Sequence, residues 1–153
     1  MANFVMNIAK GRVVEYYNRV ENNDPAASAL IIVPIETSGL EAQSVLEDKD
    51  DLAAFLSGAT NEQTTMGRKT LTDADLASLP APDDTNNRFD VSLPTITWTA
   101  ATGNAISGFL VCYDSDTGAG TDSAIIPLTY FDDAFTPDGS DIVLTGAVFF
   151  RAS

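Results

Sequence analysis

Apolar and polar residues alternate along residues 91–99, and this pattern predicts a strand. Ile96, Trp98 and Ala100 fall on one side of the strand, so a period of two makes it half-buried. The outward positions are Thr95, Thr97 and Thr99. Residues 105–113 are apolar on both faces, which is typical of a central strand covered on both sides. The turn at 101–104 contains glycine and asparagine, which accept positive φ, and it therefore predicts a hairpin between the two strands.

A helical period precedes these strands, in residues 9–21. The positions Val13, Tyr16, Tyr17 and Val20 are spaced by three, four and seven, which favours a helix, although the β-branched and aromatic content leaves a strand as the alternative. The helix is expected to end at residues 22–25, because Pro25 excludes the helical conformation from the residue before it.

Shorter patterns fill the rest of the chain. Residues 28–36 predict a buried strand with an edge or bulge at Pro34, and residues 38–41 have a capping-box pattern. A better helix is expected to begin near Asp48 and to end at Gly58. Residues 59–70 predict a loop or weak strand and residues 72–79 a short helical turn. Further strands are predicted at 123–131, with an edge at Pro127, and at 141–151, with a bulge at Gly146.

These segments predict a mainly β fold, an antiparallel β-sandwich with one or two helices packed from the N-terminal half, and α+β is the second choice. A chain of 153 residues suits one domain. The polar stretch 81–87 is expected to be a surface connector within it, between a helix-containing half (1–80) and an all-strand half (88–153).

The composition excludes several classes of function. The formal net charge is −14, which disfavours binding to nucleic acid phosphates or anionic lipids. No apolar run approaches the length of a membrane span, and the first residues do not resemble a secretory signal. There are no histidines, so the commonest general base and zinc ligand is missing. Cys112 lies within an apolar strand and is expected to be a buried structural thiol.

Two weaker candidates for chemistry remain. Asp114, Asp116 and Asp122 with Tyr113 are the only constellation that suggests a carboxylate–metal enzyme. The loop begins like a calcium loop, but Ile125 stands where a bidentate glutamate is needed, so we expect a plain connector, no metal, no cofactor and no enzyme. Trp98 leaves open a sugar-binding β-sandwich, although a core position fits its strand better.

The order of segments resembles small structural proteins of tailed bacteriophages. The resemblance lies in the run W-T-A-A-T-G-N-A-I-S-G-F-L-V-C-Y-D at 98–114, in I-I-P-L-T-Y-F and in F-T-P-D-G-S-D-I-V-L, and residues 9–30 are similar in character. It implies a non-enzymatic virion component and carries over no catalytic or ligand residue. The favoured role is a capsid decoration (cement) protein on the capsid exterior, made in the host cytoplasm and binding the major capsid protein, commonly as a trimer. The alternative is a tail or head-tail connector component.

Two surfaces are candidates for that contact. Residues 1–20 hold three basic residues and one acidic residue, a net of +2 on an otherwise acidic chain, and could dock onto an acidic neighbour. The alternative is that these residues only solvate a helix. The second surface is the outward threonine face. The predicted interface residues are Lys10, Arg12, Tyr16, Tyr17, Arg19, Thr95, Thr97 and Thr99.

Overall fold

The apolar run 105–113 becomes the middle strand of an antiparallel sheet in the computed structural model, which describes residues 1–146 and 148–152. All nine residues of this strand are buried, as predicted for a strand covered on both faces. The chain is mainly β, with 33% of its residues in strands and 15% in helices, so the predicted class is confirmed. The described strands are β1 (Phe4–Val5), β2 (Ala29–Glu36), β3 (Lys69–Leu71), β4 (Phe89–Ser92), β5 (Ile96–Trp98), β6 (Ile106–Asp114), β7 (Ile126–Phe135), β8 (Ile142–Leu144) and β9 (Val148–Ala152).

The strands form one five-stranded sheet, in the order β1-β7-β6-β2-β3, and two separate two-stranded ribbons, β4–β9 and β5–β8. Every pairing is antiparallel. This pairing does not establish the predicted sandwich, because the described strands opposite the sheet are short ribbons. Buried residues from both sides of the 81–87 stretch, including Val13 and Phe149, belong to one hydrophobic cluster.

The predicted hairpin between 91–99 and 105–113 is wrong. Both edges of β6 are occupied, by β2 on one side and β7 on the other, and these long pairings bury far more apolar surface than a three-residue strand could. The chain instead turns away after Trp98, where Ala100 adopts a φ of 48°. Its amide donates to Oδ1 of Asp141 (2.8 Å), which directs β5 toward β8.

The helix predicted at 9–21 is confirmed as α1 (Val13–Glu21), preceded by a 3-10 turn at Asn7–Ala9. Gly11, with a φ of 80°, separates the two. The later helices are α2 (Gln43–Leu46) and α3 (Leu52–Phe55). α3 is capped by Asp51, whose Oδ1 accepts a hydrogen bond from the amide of Ala54 (2.7 Å).

The other differences have local causes. β2 and β7 lie inside the sheet, so neither is an edge strand. The bulge predicted as the alternative at Pro34 has a counterpart in the register shift between Ile35 and Glu36. Pro34 lies past the last β2–β3 pair and Pro127 past the last β1–β7 pair, so each proline lacks a strand partner on one side. Neither 38–41 nor 72–79 forms a helix: turns are found only at 38–39 and 73–75. At the second turn the carboxylate of Asp75 accepts from the amide of Thr72 (2.8 Å). The predicted last strand is divided into β8 and β9, which pair with different partners. Gly146 lies between them.

Candidate functional site: the ribbon face and its neighbouring pocket

Two of the predicted interface residues, Tyr16 and Tyr17, belong to the core, and their assignment to an interface is wrong. They are 3% and 2% exposed. The ring of Tyr16 lies 4.7 Å from that of Tyr113 on β6, and the ring of Tyr17 lies 6.1 Å from that of Phe149 on β9. The Tyr17 hydroxyl donates to the carbonyl of Ala77 (2.7 Å), and burial raises the pKa of this tyrosine. Both rings attach α1 to the sheet and to a ribbon, so they are unavailable to a partner.

The basic residues of the same helix are exposed, but much of their charge is matched locally. Nε of Arg12 and Nε of Arg19 each lie 3.1 Å from a carboxylate oxygen of Glu15. Hydrogen bonds from Arg12 and then Arg19 hold the pKa of Glu15 below its usual value. Lys10 donates to the side-chain oxygen of Asn7. The exposed surface of residues 10–19 therefore carries two arginines that share one glutamate, and one lysine.

The threonines in β5 and directly beside it lie where the alternation predicts. Thr95, Thr97 and Thr99 are exposed, while Ile96 and Trp98 between them are 4% and 2% exposed. Thr97 is directly opposite Val143 of β8. Val143 is 52% exposed, the highest fraction among the exposed large hydrophobic side chains described. We call Thr95, Thr97, Thr99 and Val143 the ribbon face; all four side chains are uncharged, on a chain of net charge −14.

Trp98 packs the buried side of the ribbon against the five-stranded sheet. Its ring stacks on Phe109 of β6, with centroids 4.9 Å apart, and its Nε1 donates to the carbonyl of Gly67 (3.0 Å). The turn after β5 is held to the turn before β8, because the amide of Ala101 donates to the carbonyl of Ser140 (3.0 Å). The ribbon face thus lies on a supported element whose two strands pair only with each other in the described part of the chain. Each strand therefore has one edge without a strand partner among these residues, and such an edge can pair with another chain.

A small pocket adjoins the ribbon face at Thr99, and no pattern in the sequence predicts it. Its volume is about 250 Å³. The ammonium of Lys69 lies 5.7 Å from the centroid of the Trp98 ring, beside the pocket. We call this cavity the Lys69 pocket; its lining is Thr65, Met66, Lys69, Trp98, Thr99, Ala100, Ala101 and Thr102. Trp98 forms the buried wall of this pocket and has no ring face exposed to solvent. A sugar ring therefore cannot stack on it, as a sugar-binding site at Trp98 would require.

Gln63 fixes the rim of the Lys69 pocket. This amide is 1% exposed; its Nε2 donates to the carbonyls of Thr102 (3.2 Å) and Asn104 (3.3 Å). Its Oε1 accepts from the amides of Thr65 (2.7 Å) and Met66 (3.1 Å). A Cβ at Gly103 would lie 1.8 Å from Gln63 Nε2, so only glycine permits this approach. The two loops that line the pocket are therefore joined through one buried side chain.

The aspartates of the candidate enzyme site are each bonded to other groups of the protein and do not converge on one site. Asp122 forms a paired contact with Arg68, with Nη1–Oδ1 at 2.6 Å and Nη2–Oδ2 at 2.9 Å. Arg68 also holds Glu62, with Nη2–Oε2 at 2.6 Å. These bonds raise the pKa of Arg68 and lower that of Asp122. Asp114 and Asp116 instead accept amide hydrogens of their own loop, from Asp116 (3.0 Å) and Gly118 (2.9 Å).

The thiol of Cys112 lies inside the core, as its apolar strand predicts. Cys112 is fully buried, and burial raises the pKa of its thiol, which opposes formation of a thiolate. Within residues 1–146 and 148–152, no group of three or more histidine, cysteine, aspartate or glutamate side chains is placed to hold a metal ion. No helix in the described part of the chain is both long enough and apolar enough to cross a membrane.

The predicted interface residues thus separate into two sets. α1 and β5 pack on the same face of β6, above Tyr113 and Phe109 respectively, but no described hydrogen bond or ion pair joins the exposed residues of one to those of the other. The ribbon face is uncharged and the surface of α1 is mixed in charge. Comparison of the chain with protein families, with curated proteins and with solved structures finds no match.

Proposed function

We propose that this chain is a non-enzymatic structural protein of a bacteriophage particle, a capsid decoration protein that docks through the ribbon face onto assembled major capsid protein. The observation that supports this proposal is the exposure of the ribbon face. A side chain as exposed as Val143, in an uncharged stripe with strand edges that pair with no other described strand, is suited to burial against a neighbour.

The acidic exterior is consistent with this role. A chain of net charge −14 stays soluble at high concentration and avoids the packaged genome. The uncharged ribbon face lets a shell subunit approach without the repulsion that the rest of the surface would impose. A site built on a supported strand also docks with little ordering cost, because its geometry is fixed before contact.

The test is readdition to particles made without this protein. The wild type and the variant Val143→Glu are mixed with such particles, and bound protein is measured by cosedimentation. We expect Val143→Glu to bind at least about tenfold more weakly, since a charge buried in an apolar contact costs more than 1.4 kcal/mol. The matched control is Val45→Glu, because Val45 on α2 is also a large exposed apolar residue, at 43%.

Particles that regain the wild-type protein should retain their DNA to a higher temperature than particles without it. Equal heat resistance with and without the protein would overturn the decoration role. Equal loss of binding by Val143→Glu and Val45→Glu would overturn the ribbon face as the docking surface. A copy number of only a few per particle, measured by gel densitometry, would instead favour the tail or head-tail connector role.

A further inference from the structure

The eight basic side chains of this protein divide by type. Each of the five arginines has a carboxylate oxygen within 4.0 Å among the described residues, whereas no such pair is found there for any lysine. Lys10 is hydrogen-bonded to Asn7 and Lys49 lies in the loop between α2 and α3. Lys69 lines the Lys69 pocket.

The surroundings of Lys69 match the needs of an anion. Three threonines of the lining, Thr65, Thr99 and Thr102, are exposed, and each hydroxyl can donate one hydrogen bond. The nearby carboxylate of Asp141 already accepts the amide of Ala100. The cavity thus combines one ammonium with several hydroxyl donors. Charge-assisted hydrogen bonds of this kind are about twice as strong as neutral ones.

The size of the cavity restricts the ligand. At about 250 Å³ it is smaller than the roughly 300 Å³ at which pockets for drug-sized molecules begin. A single side-chain group fits this space. A free polyanion would also face the repulsion of the whole acidic chain, whereas a carboxylate carried by a docked protein arrives with the other contacts of that interface.

We infer that the Lys69 pocket binds a carboxylate side chain presented by the protein partner that covers the ribbon face. Thr99 belongs to both surfaces, so an acidic residue at the edge of the docked partner would reach the ammonium of Lys69 directly. The identity of the donor rests on the proposed docking of the ribbon face. The pocket itself is tested without any partner.

Trp98 makes that test direct, because it is the only tryptophan and its ring lies beside Lys69. The isolated protein is titrated with N-acetyl-aspartate amide while Trp98 emission is followed, and the neutral N-acetyl-asparagine amide is the matched probe. We expect a saturable change with the aspartate compound only. Lys69→Met, which keeps the apolar stem and removes the charge, should weaken binding at least about tenfold, and Lys69→Arg should retain it. Lys49→Met is the matched control and should behave as the wild type.

Several results would overturn the pocket. They are an equal response to the asparagine compound, a response that survives in folded Lys69→Met, or no saturable response in the wild type. Inorganic phosphate is titrated in parallel, and tighter binding of phosphate than of the aspartate compound would overturn the carboxylate assignment.

The source of the carboxylate is tested on particles. Lys69→Met should bind particles several-fold more weakly than Lys49→Met if the shell subunit supplies it. Unchanged particle binding by Lys69→Met, with the aspartate titration intact in the wild type, would overturn the partner as the source. Loss of particle binding in Val143→Glu depends on neither result, so a failure of the pocket and a failure of the docking role are distinguishable.

Discussion

The five-stranded sheet and the β5–β8 ribbon use the same kind of sequence for different purposes. In β6 every residue is buried and both edges are paired. In the ribbon only one face is buried, and each three-residue strand has one edge that pairs with no strand among the described residues. The sheet therefore holds most of the apolar burial that stabilises the fold, whereas the outward half of the ribbon contributes little to stability. A surface that adds little to folding is free to be selected for contact with a partner.

The largest expected effect comes from cutting the link between the two regions. Phe109 is 1% exposed and lies between Trp98 of the ribbon and Phe135 of β7, at 4.9 and 6.0 Å between ring centroids. Phe109→Ala should lower the free energy of unfolding by about 3–5 kcal/mol, because it removes a large ring and leaves a cavity. Urea unfolding followed by circular dichroism measures the loss, and Phe109→Leu, which retains more volume, should lose less. A loss below about 1 kcal/mol for the alanine variant would contradict this role.

The sequence predicted the parts of this comparison that depend on local periodicity. The alternation at Ile96 and Trp98 and the continuous apolar run of β6 correctly identified a one-sided and a two-sided strand. The helical spacing of Tyr16 and Tyr17 also placed them correctly on one face. Their assignment to an interface was wrong because spacing marks a face without showing what covers it, and here β6 and β9 do.

Local periodicity could not predict which strands pair with each other or which charged side chains meet. The Gly103–Asn104 turn favours a hairpin locally, but β2 and β7 occupy the two edges of β6 at which β5 could pair. Both strands are distant along the chain: Ser107 of β6 is hydrogen-bonded to residues 72 and 23 positions away, in β2 and β7. Arg68 looks like one polar residue in a polar loop, yet one of its carboxylates is 54 positions along the chain. The Lys69 pocket likewise exists only once β3 and β5 are brought together.

The second largest loss of stability is expected at Arg68, which is paired with two carboxylates, in contrast to neighbouring Lys69. Arg68→Met should lower the free energy of unfolding at pH 7 by about 2 kcal/mol, because two half-buried carboxylates lose their partner. The matched control is Arg151→Met, which breaks a contact of 2.6 Å to Asp90 on a side chain that is 49% exposed. That loss should stay below about 1 kcal/mol. Equal losses for both variants would contradict a special role for the Arg68 cluster.

The same variant has a defined pH dependence. The folded pKa of Asp122 is depressed by Arg68, below its ordinary value of 3.8. A carboxylate with a depressed folded pKa adds stability that is complete above the unfolded pKa and disappears as the pH falls through the folded one. The difference in unfolding free energy between wild type and Arg68→Met should therefore be constant from about pH 5 to 7 and narrow below about pH 4. Urea unfolding at these pH values checks it, and a difference that widens in acid would contradict the assignment.

A smaller effect, of opposite sign, is expected within the sheet. Thr129 of β7 is 4% exposed, and its hydroxyl has no hydrogen-bond partner among the described residues. Thr129→Val replaces this hydroxyl with a methyl group of similar volume and should raise the free energy of unfolding by about 1 kcal/mol. Thr129→Ser, which keeps the hydroxyl and removes the methyl group, should lower it. Thermal unfolding measures both variants, and destabilisation by Thr129→Val would indicate that the hydroxyl has an ordered partner.

The smallest expected effect sharpens the comparison most. Val143→Glu and Val45→Glu should each change the free energy of unfolding by no more than about 0.5 kcal/mol, since both side chains project into water. Urea unfolding of the two variants checks this, and their particle binding should differ although their stabilities do not. If Val143→Glu instead unfolds far more easily than Val45→Glu, the ribbon face is part of the stabilising core. Its apolar character would then be explained by folding, and the docking role would lose its physical basis.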